Sequence, residues 1–346
     1  MSHCIFWAQT TTQNGERPRR PKACAAPFAM TLRICCISLL LAAGALSAQP
    51  AFSEPSPDPD QARLFTEDID HFWQAFDQAG PAFPAEVFQK AYLDPGSPGL
   101  KDFVTARIKS AEALADKIRK YPRYYASIRE STGRIHEMER AIRASFYALK
   151  YLYPDAKFPE VYFLIGVLNT GGTTSERGLL IGAEMYGRTP ETPEDELTDW
   201  HKTVLGSVES IPHIVAHEII HYQQKSLGTV KTLLANAIQE GSADFLAEMI
   251  SGRHVNEHVH RYAIPRRAEL WKEFKEKMHG EDFTGWLYSS ASGRPQDLGY
   301  WMGYEITKAY YDKAADKRQA IREILEVTDF DAFLVKSGYA EMVDSK

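Results

Sequence analysis

The hydrophobic pattern changes period twice along the chain, and the changes outline its architecture. Between residues 63 and 153 apolar positions recur every three or four residues, as at Val104, Ile108, Ala111, Leu114 and Ile118. That is the spacing of one buried helix face. Pro and Gly clusters near 80–84 and 95–99 break the run, and a second long helical stretch covers 134–153. The period then shortens. Residues 161–168 (VYFLIGVL) and 178–183 (GLLIGA) are short apolar, β-rich runs around a Gly-rich connection, the pattern of a β-hairpin or of neighbouring strands. No Gly-Lys-Ser/Thr follows the glycines, so they read as turn chemistry and not as a phosphate cradle. From residue 211 the helical period returns. Gly228 and Gly252 are plausible stops for helices at 211–227 and 229–251, and later helices are expected at 266–279, 299–313 and 317–327. The fold class is therefore α+β, mostly helical, with a small β-sheet.

Composition narrows the class. The 346 residues are 44% hydrophobic and 25% charged with a formal charge of −6, a globular profile. No long basic run is present, which disfavours nucleic acid as a partner. All four cysteines lie within the first 36 residues. There Arg33 precedes an apolar run of 13, residues 34–46, followed by Ser47 and Ala48. The run is short of the roughly 20 residues a membrane span needs, but it suits a secretory signal cut after Ala48. Residues before Met30 are unlike a signal, which makes Met30 a candidate true start. No cysteine follows the run, so lipid attachment at the cut is not expected. Removing 1–48 takes five basic residues and one acidic one with it and leaves a charge of −10 and no cysteine. Disulfides, thiol catalysis and cysteine-ligated zinc are excluded together. The expected organisation is a signal peptide at 1–48, a Pro, Ser and Asp linker at 49–61, a helical N-terminal region at 62–155 and a catalytic region at 156–346. The product is exported, periplasmic or secreted, with no stable membrane span after cleavage.

The chemistry concentrates at residues 211–222, IPHIVAHEIIHY, where His217, Glu218 and His221 form His-Glu-x-x-His. Residues four apart on a helix stand on one face, so the two imidazoles can share one zinc ion. Glu218 lies about 100° round the helix from His217, beside the metal and not on it, where it can act as base toward a water the zinc activates. Ile214, Val215, Ile219 and Ile220 make the helix apolar, and buried histidines with a buried glutamate are costly unless paired or metal-bound. Two protein ligands leave a catalytic zinc short of its usual three. Glu240, in QEGSADF on the next expected helix, supplies a third. Asp244, one turn later, is placed to accept an imidazole N–H and fix its tautomer.

A His-Glu-x-x-His helix followed by Glu-x-x-x-Asp on the next helix resembles the gluzincin group of zinc metallopeptidases. Within that group the resemblance is nearest to the exported, predicted zinc-dependent proteases related to a gliding-motility lipoprotein. It is specific over residues 213–245. The resemblance implies a zincin-like fold and hydrolysis of a peptide or protein substrate. It carries over His217, His221 and Glu240 as zinc ligands, Glu218 as base and Asp244 as the acceptor behind an imidazole.

Neighbouring residues compete for roles. His213 and His221 are about 12 Å apart along a helix axis, and no base follows His213, so a helix-start or core role suits it. His254, His258 and His260 form a second cluster in polar surroundings, expected as a solvated segment. GAEMY at 182–186 sits where zinc aminopeptidases carry a Gly-x-Met-Glu-Asn strand; the reversed order makes an edge strand the plainer reading and an amine-binding role for Glu184 the bolder one. Tyr304, and less so Tyr300, are candidate oxyanion donors. The expected function is an exported zinc peptidase. The alternative is a non-catalytic metal-containing binding or envelope-assembly protein.

Overall fold

The shortened period after residue 160 becomes a four-stranded sheet in the computed structural model, which describes residues 54–288 and 294–345. The strands are β1 (Leu64–Phe65), β2 (Glu160–Leu164), β3 (Gly172–Thr174) and β4 (Gly178–Gly182), in the spatial order β1-β2-β4-β3. The two runs legible in the sequence are β2 and β4. They are parallel neighbours, in register from Glu160 opposite Gly178 to Leu164 opposite Gly182. The hairpin forms between β3 and β4 instead, which are antiparallel. β4 is buried at every position and β2 at four of its five, as inner strands covered on both faces should be. β3 is half-buried throughout and forms an edge. The GAEMY stretch is not an edge strand: after Gly182 closes β4, Ala183–Tyr186 coil into a buried 3₁₀ turn.

Helix surrounds the sheet, so the chain is α+β and mostly helical. The helix expected at 211–227 spans Ile211–Gln223 and stops where Gln224 turns extended. The next begins at Leu233, with the Thr232 hydroxyl accepting from the Ala235 N–H at 3.2 Å, and ends at Ser251 before Gly252, left-handed with φ 79°. Later helices at Arg267–Lys277, Leu298–Lys313 and Lys317–Leu325 lie within two residues of expectation. The stretch at 134–153 divides into a 3₁₀ turn, Ile135–Met138, and a helix, Glu139–Leu152.

The expected leader at 1–48 lies outside the described residues. From Ser56 the stretch read as linker is held by the fold. Ser56 pairs with Phe158, Asp58 caps the turn Pro59–Gln61, and the buried Pro59 offers its carbonyl to Arg143 Nη1 at 2.7 Å.

One packing feature positions the site. Helix Leu233–Ser251 is buried over most of its length and packs against both Ile211–Gln223 and Leu298–Lys313. Its crossing with the latter is backbone to backbone. A Cβ on Gly303 would stand 1.6 Å from the Ala237 carbonyl oxygen, and one on Gly241 2.1 Å from the Tyr304 nitrogen. Only glycine permits that approach.

Candidate metal centre

Helix Ile211–Gln223 starts with Pro212 in its first turn, where a missing N–H costs nothing. Its apolar residues Ile211, Val215, Ala216, Ile219 and Ile220 are fully buried. That burial presses His217, Glu218 and His221 against helix Leu233–Ser251 and edge strand β3. The expected trio converges. His217 Nε2 and His221 Nε2 are 2.9 Å apart, and Glu240 Oε2 lies 3.1 Å from His221 Nε2 and 3.5 Å from His217 Nε2.

The partners behind these atoms decide what the centre must contain. His217 Nδ1 lies 2.8 Å from Asp244 Oδ1, within hydrogen-bond distance though out of line for a well-directed bond. A carboxylate only accepts, so Nδ1 carries the proton. His221 Nδ1 faces Gln224 Oε1 at 2.9 Å. The orientation of that amide is fixed, because Gln224 Nε2 donates to the Gln239 carbonyl at 2.7 Å and to Ser242 Oγ at 3.0 Å. His221 Nδ1 therefore also carries the proton. Two imidazole lone pairs and a carboxylate oxygen then face one another with no hydrogen between them, a repulsive arrangement unless a cation sits among them. A shared proton or a metal ion meets that requirement. The donor set of two imidazoles and a carboxylate fits zinc, whose tetrahedral ligands at 2.0–2.1 Å stand about 3.3 Å apart. Among the described residues His217, His221 and Glu240 are the group that could hold a metal.

Asp244 and Glu240 are themselves tied. Asp244 Oδ2 accepts from Asn256 Nδ2 at 2.7 Å, and Glu240 Oε1 accepts from the Tyr288 hydroxyl at 2.8 Å. Burial opposes the imidazolium of His217 and of His221, yet the surrounding carboxylates raise the pKa of both. Burial likewise pushes Glu240 up, but the histidine pair outweighs it and holds the carboxyl well below the usual range. Glu218 is buried beside the trio and off it, with its pKa raised chiefly by that burial. Its carboxylate lies against β3: a Cβ on Gly172 would meet Glu218 Oε1 at 2.5 Å.

The other expected residues fall elsewhere. The Tyr304 hydroxyl donates to Glu248 Oε2 at 2.7 Å and does not join the trio. Tyr300, one turn earlier, stacks near His217 with ring centroids 6.1 Å apart. His213 binds Ser251 Oγ at 2.9 Å through Nδ1, a structural contact. His254, His258 and His260 are half-buried and not a freely solvated segment; the His254 and His260 rings lie 3.9 Å apart against Tyr304, and burial lowers the His260 pKa to about 4. Glu184 is fully buried with its pKa raised by burial to about 7, and Oε1 accepts from the Leu168 N–H at 3.1 Å, so it pins a loop inside the core. Sequence reading missed Gln224, Asn256 and Tyr288. Gln224 was within reach, since it follows His221 by three positions on the same face; Asn256 and Tyr288 sit in loops that periodicity does not address.

The chain matches the family model of gliding motility protein GldB over residues 60–278. It belongs to the GldB family. No curated protein and no solved structure matches it. The metal trio, Glu218, Gln224, Asp244 and Asn256 all fall inside the matched span, whereas Tyr288 and Tyr300 lie beyond it. The GldB family model is that of a lipoprotein, which makes the chain an exported envelope protein. No helix among the described residues is long and apolar enough to cross a membrane.

Proposed function

We propose that the chain is a zinc-dependent peptidase of zincin-like fold, acting on a peptide or protein substrate outside the cytoplasm. The observation that carries this reading is the pairing of a three-donor centre with a glutamate that stands beside it and is not consumed by it. Structural zinc sites have four protein ligands, whereas catalytic ones keep a position open. Bound here, zinc supplies Lewis acidity, polarising a carbonyl and bringing the pKa of water toward about 7. Asp244 and Gln224 hold the imidazoles with Nδ1 protonated and Nε2 free. Tyr288 holds one oxygen of Glu240, leaving the other for the centre. Glu218 takes the proton of the attacking water on its carboxylate and passes it to the leaving amine, and its raised pKa suits both halves of that transfer. Tyr300, whose ring stacks near His217, is a better candidate hydroxyl for the developing oxyanion than Tyr304, which donates to Glu248.

The decisive experiment compares the parent protein with Glu218→Gln and Glu240→Ala, measuring zinc per chain and cleavage of a casein-derived peptide mixture. The reading expects about one zinc per chain in the parent and in Glu218→Gln, loss of zinc in Glu240→Ala, and turnover in the parent alone. Turnover that survives Glu218→Gln sinks it. A second reading, a non-catalytic metal-containing envelope-assembly protein, is favoured by the family match, whose description names motility and no enzyme activity. It expects zinc in both of the first two proteins and cleavage by neither.

A further inference from the structure

Near Glu218 stands a cation, Arg107, that the mechanism above leaves unused. Arg107 lies in a π-helical turn, Val104–Ile108, a form that is rare and tends to occur at functional sites. The next residue, Lys109, holds a left-handed φ of 76°, and its Nζ donates to the carbonyls of Thr105 and Ala106 at 2.8 and 2.9 Å. Non-glycine residues adopt that conformation only at a cost. The turn is therefore built to hold the residues before Lys109 in one place.

What it holds is the guanidinium against the edge strand. Arg107 Nη2 donates to Thr173 Oγ1 at 3.2 Å, and the Arg107 carbonyl accepts from Asn169 Nδ2 at 3.3 Å. Thr173 follows Gly172, the residue that lies against Glu218. Arg107 therefore sits at the same edge strand as the proposed base, and its charge is felt at Glu218 and Tyr288. Its Nε is buried without a partner, and no ion pair joins it to a carboxylate among the described residues. Two other half-buried arginines, Arg267 and Arg294, also leave Nε unpartnered, but each pairs with a carboxylate, Arg267 with Glu305 at 2.6 Å and Arg294 with Glu273 at 2.8 Å. A half-buried guanidinium with neither carboxylate nor full complement of acceptors is an anion site in waiting, because its planar fork matches a carboxylate.

We infer that Arg107 is a specificity-determining residue beside the centre and binds a carboxylate of the substrate peptide. The inference rests on the peptidase reading for the word substrate. The carboxylate is either the C-terminal one or an Asp or Glu side chain, and both sources share the chemistry the fork recognises.

The test measures binding apart from turnover. Zinc-loaded protein carrying Glu218→Gln is titrated with three fluorescent probes: dansyl-Gly-Gly-Phe with a free carboxylate, its C-terminal amide, and the amide dansyl-Gly-Asp-Phe-NH2. One carboxylate-bearing probe is expected to bind about tenfold or more tighter than the neutral amide, the scale of a hydrogen bond to a charged group. Preference for the free acid identifies the C-terminus as the source, and preference for the Asp amide identifies a side chain. Arg107→Gln should erase the preference and Arg107→Lys should restore part of it, with far-UV circular dichroism checking that both variants fold. Equal binding of all three probes, binding of none, or a preference that persists in Arg107→Gln overturns the inference. Cleavage by the Glu218-intact protein separates the two readings. Indiscriminate cleavage of all three probes overturns this one and leaves the peptidase standing, while selective binding without cleavage does the reverse.

Discussion

Replacing Gln224 by Leu tests the tautomer argument on which the whole centre depends, and it does so without touching a ligand. The side chain is near in volume, so the loss is one of hydrogen bonds: the acceptor for His221 Nδ1–H and two donors to Gln239 O and Ser242 Oγ. The Gln239 carbonyl keeps Ser242 Oγ at 3.1 Å and is not orphaned. His221 is different. Its Nδ1–H would face a methyl group, and a buried unsatisfied donor costs about 1–3 kcal/mol. The ring escapes by moving its proton to Nε2, and any metal must then displace it. Removing the outer partner of a metal-bound imidazole typically weakens binding about 10–100-fold, or about 1.4–2.7 kcal/mol. The assay is competition for zinc against a chelator of known affinity, with Glu240→Ala as the reference for a lost ligand. An affinity within about threefold of the parent would refute the lock, since that lies well under the range such partners command.

Metal-free protein should melt at lower temperature as pH rises from about 6.5 to 9. Raised histidine pKa values at His217 and His221 give stability that is complete below the unfolded value of about 6.5 and lost as pH climbs through the folded ones. Glu240, depressed, adds stability above about 4.5 that vanishes as pH falls through its folded value. Melting curves in chelator at pH 5.5, 7 and 8.5 check this, and a flat series contradicts it; zinc-loaded protein should not show the alkaline fall, because the ion replaces the proton. Gly303→Ala places a methyl 1.6 Å from the Ala237 carbonyl oxygen, so the helices must part, at a cost of about 3 kcal/mol or more; an unchanged denaturant midpoint would contradict that crossing. Gly172→Ala strikes the Glu218 side chain at 2.5 Å and not backbone, so the fold and zinc content should hold while cleavage falls about tenfold or more; full cleavage would remove β3 from the site.

The metal trio was legible because it is local. His217, His221 and Glu240 sit on two consecutive helices, and helical spacing alone puts the imidazoles on one face and Glu240 within reach. The buried strands were legible too, since runs such as GLLIG need no partner to announce themselves. Their relative direction was not: the parallel ladder between β2 and β4 depends on how residues 165–177 carry the chain back to the start of β4, and nothing in either run records direction. β3 was invisible because Gly-Thr-Thr carries no hydrophobic alternation, and its role comes from lying against Glu218. Tyr304 shows the limit of spacing arguments. It stands one turn from Tyr300 on the same helix face, yet Tyr300 lies by His217 while Tyr304, one turn further along, reaches Glu248.

The two consecutive helices that carry the trio also have a consequence for the order in which the protein assembles. A helical hairpin closes a short loop, which is fast and entropically cheap. The seat of Glu218 on β3, and Arg107 beyond it, come from chain segments 45 to 111 residues away and form only when the sheet is in place. On the proposed reading, a newly exported chain would capture its ion in the hairpin before the sheet is in place, and the rest of the fold would close around an occupied centre. The segment that would bind the ion would then be an earlier unit of folding than the one that seats the proposed base.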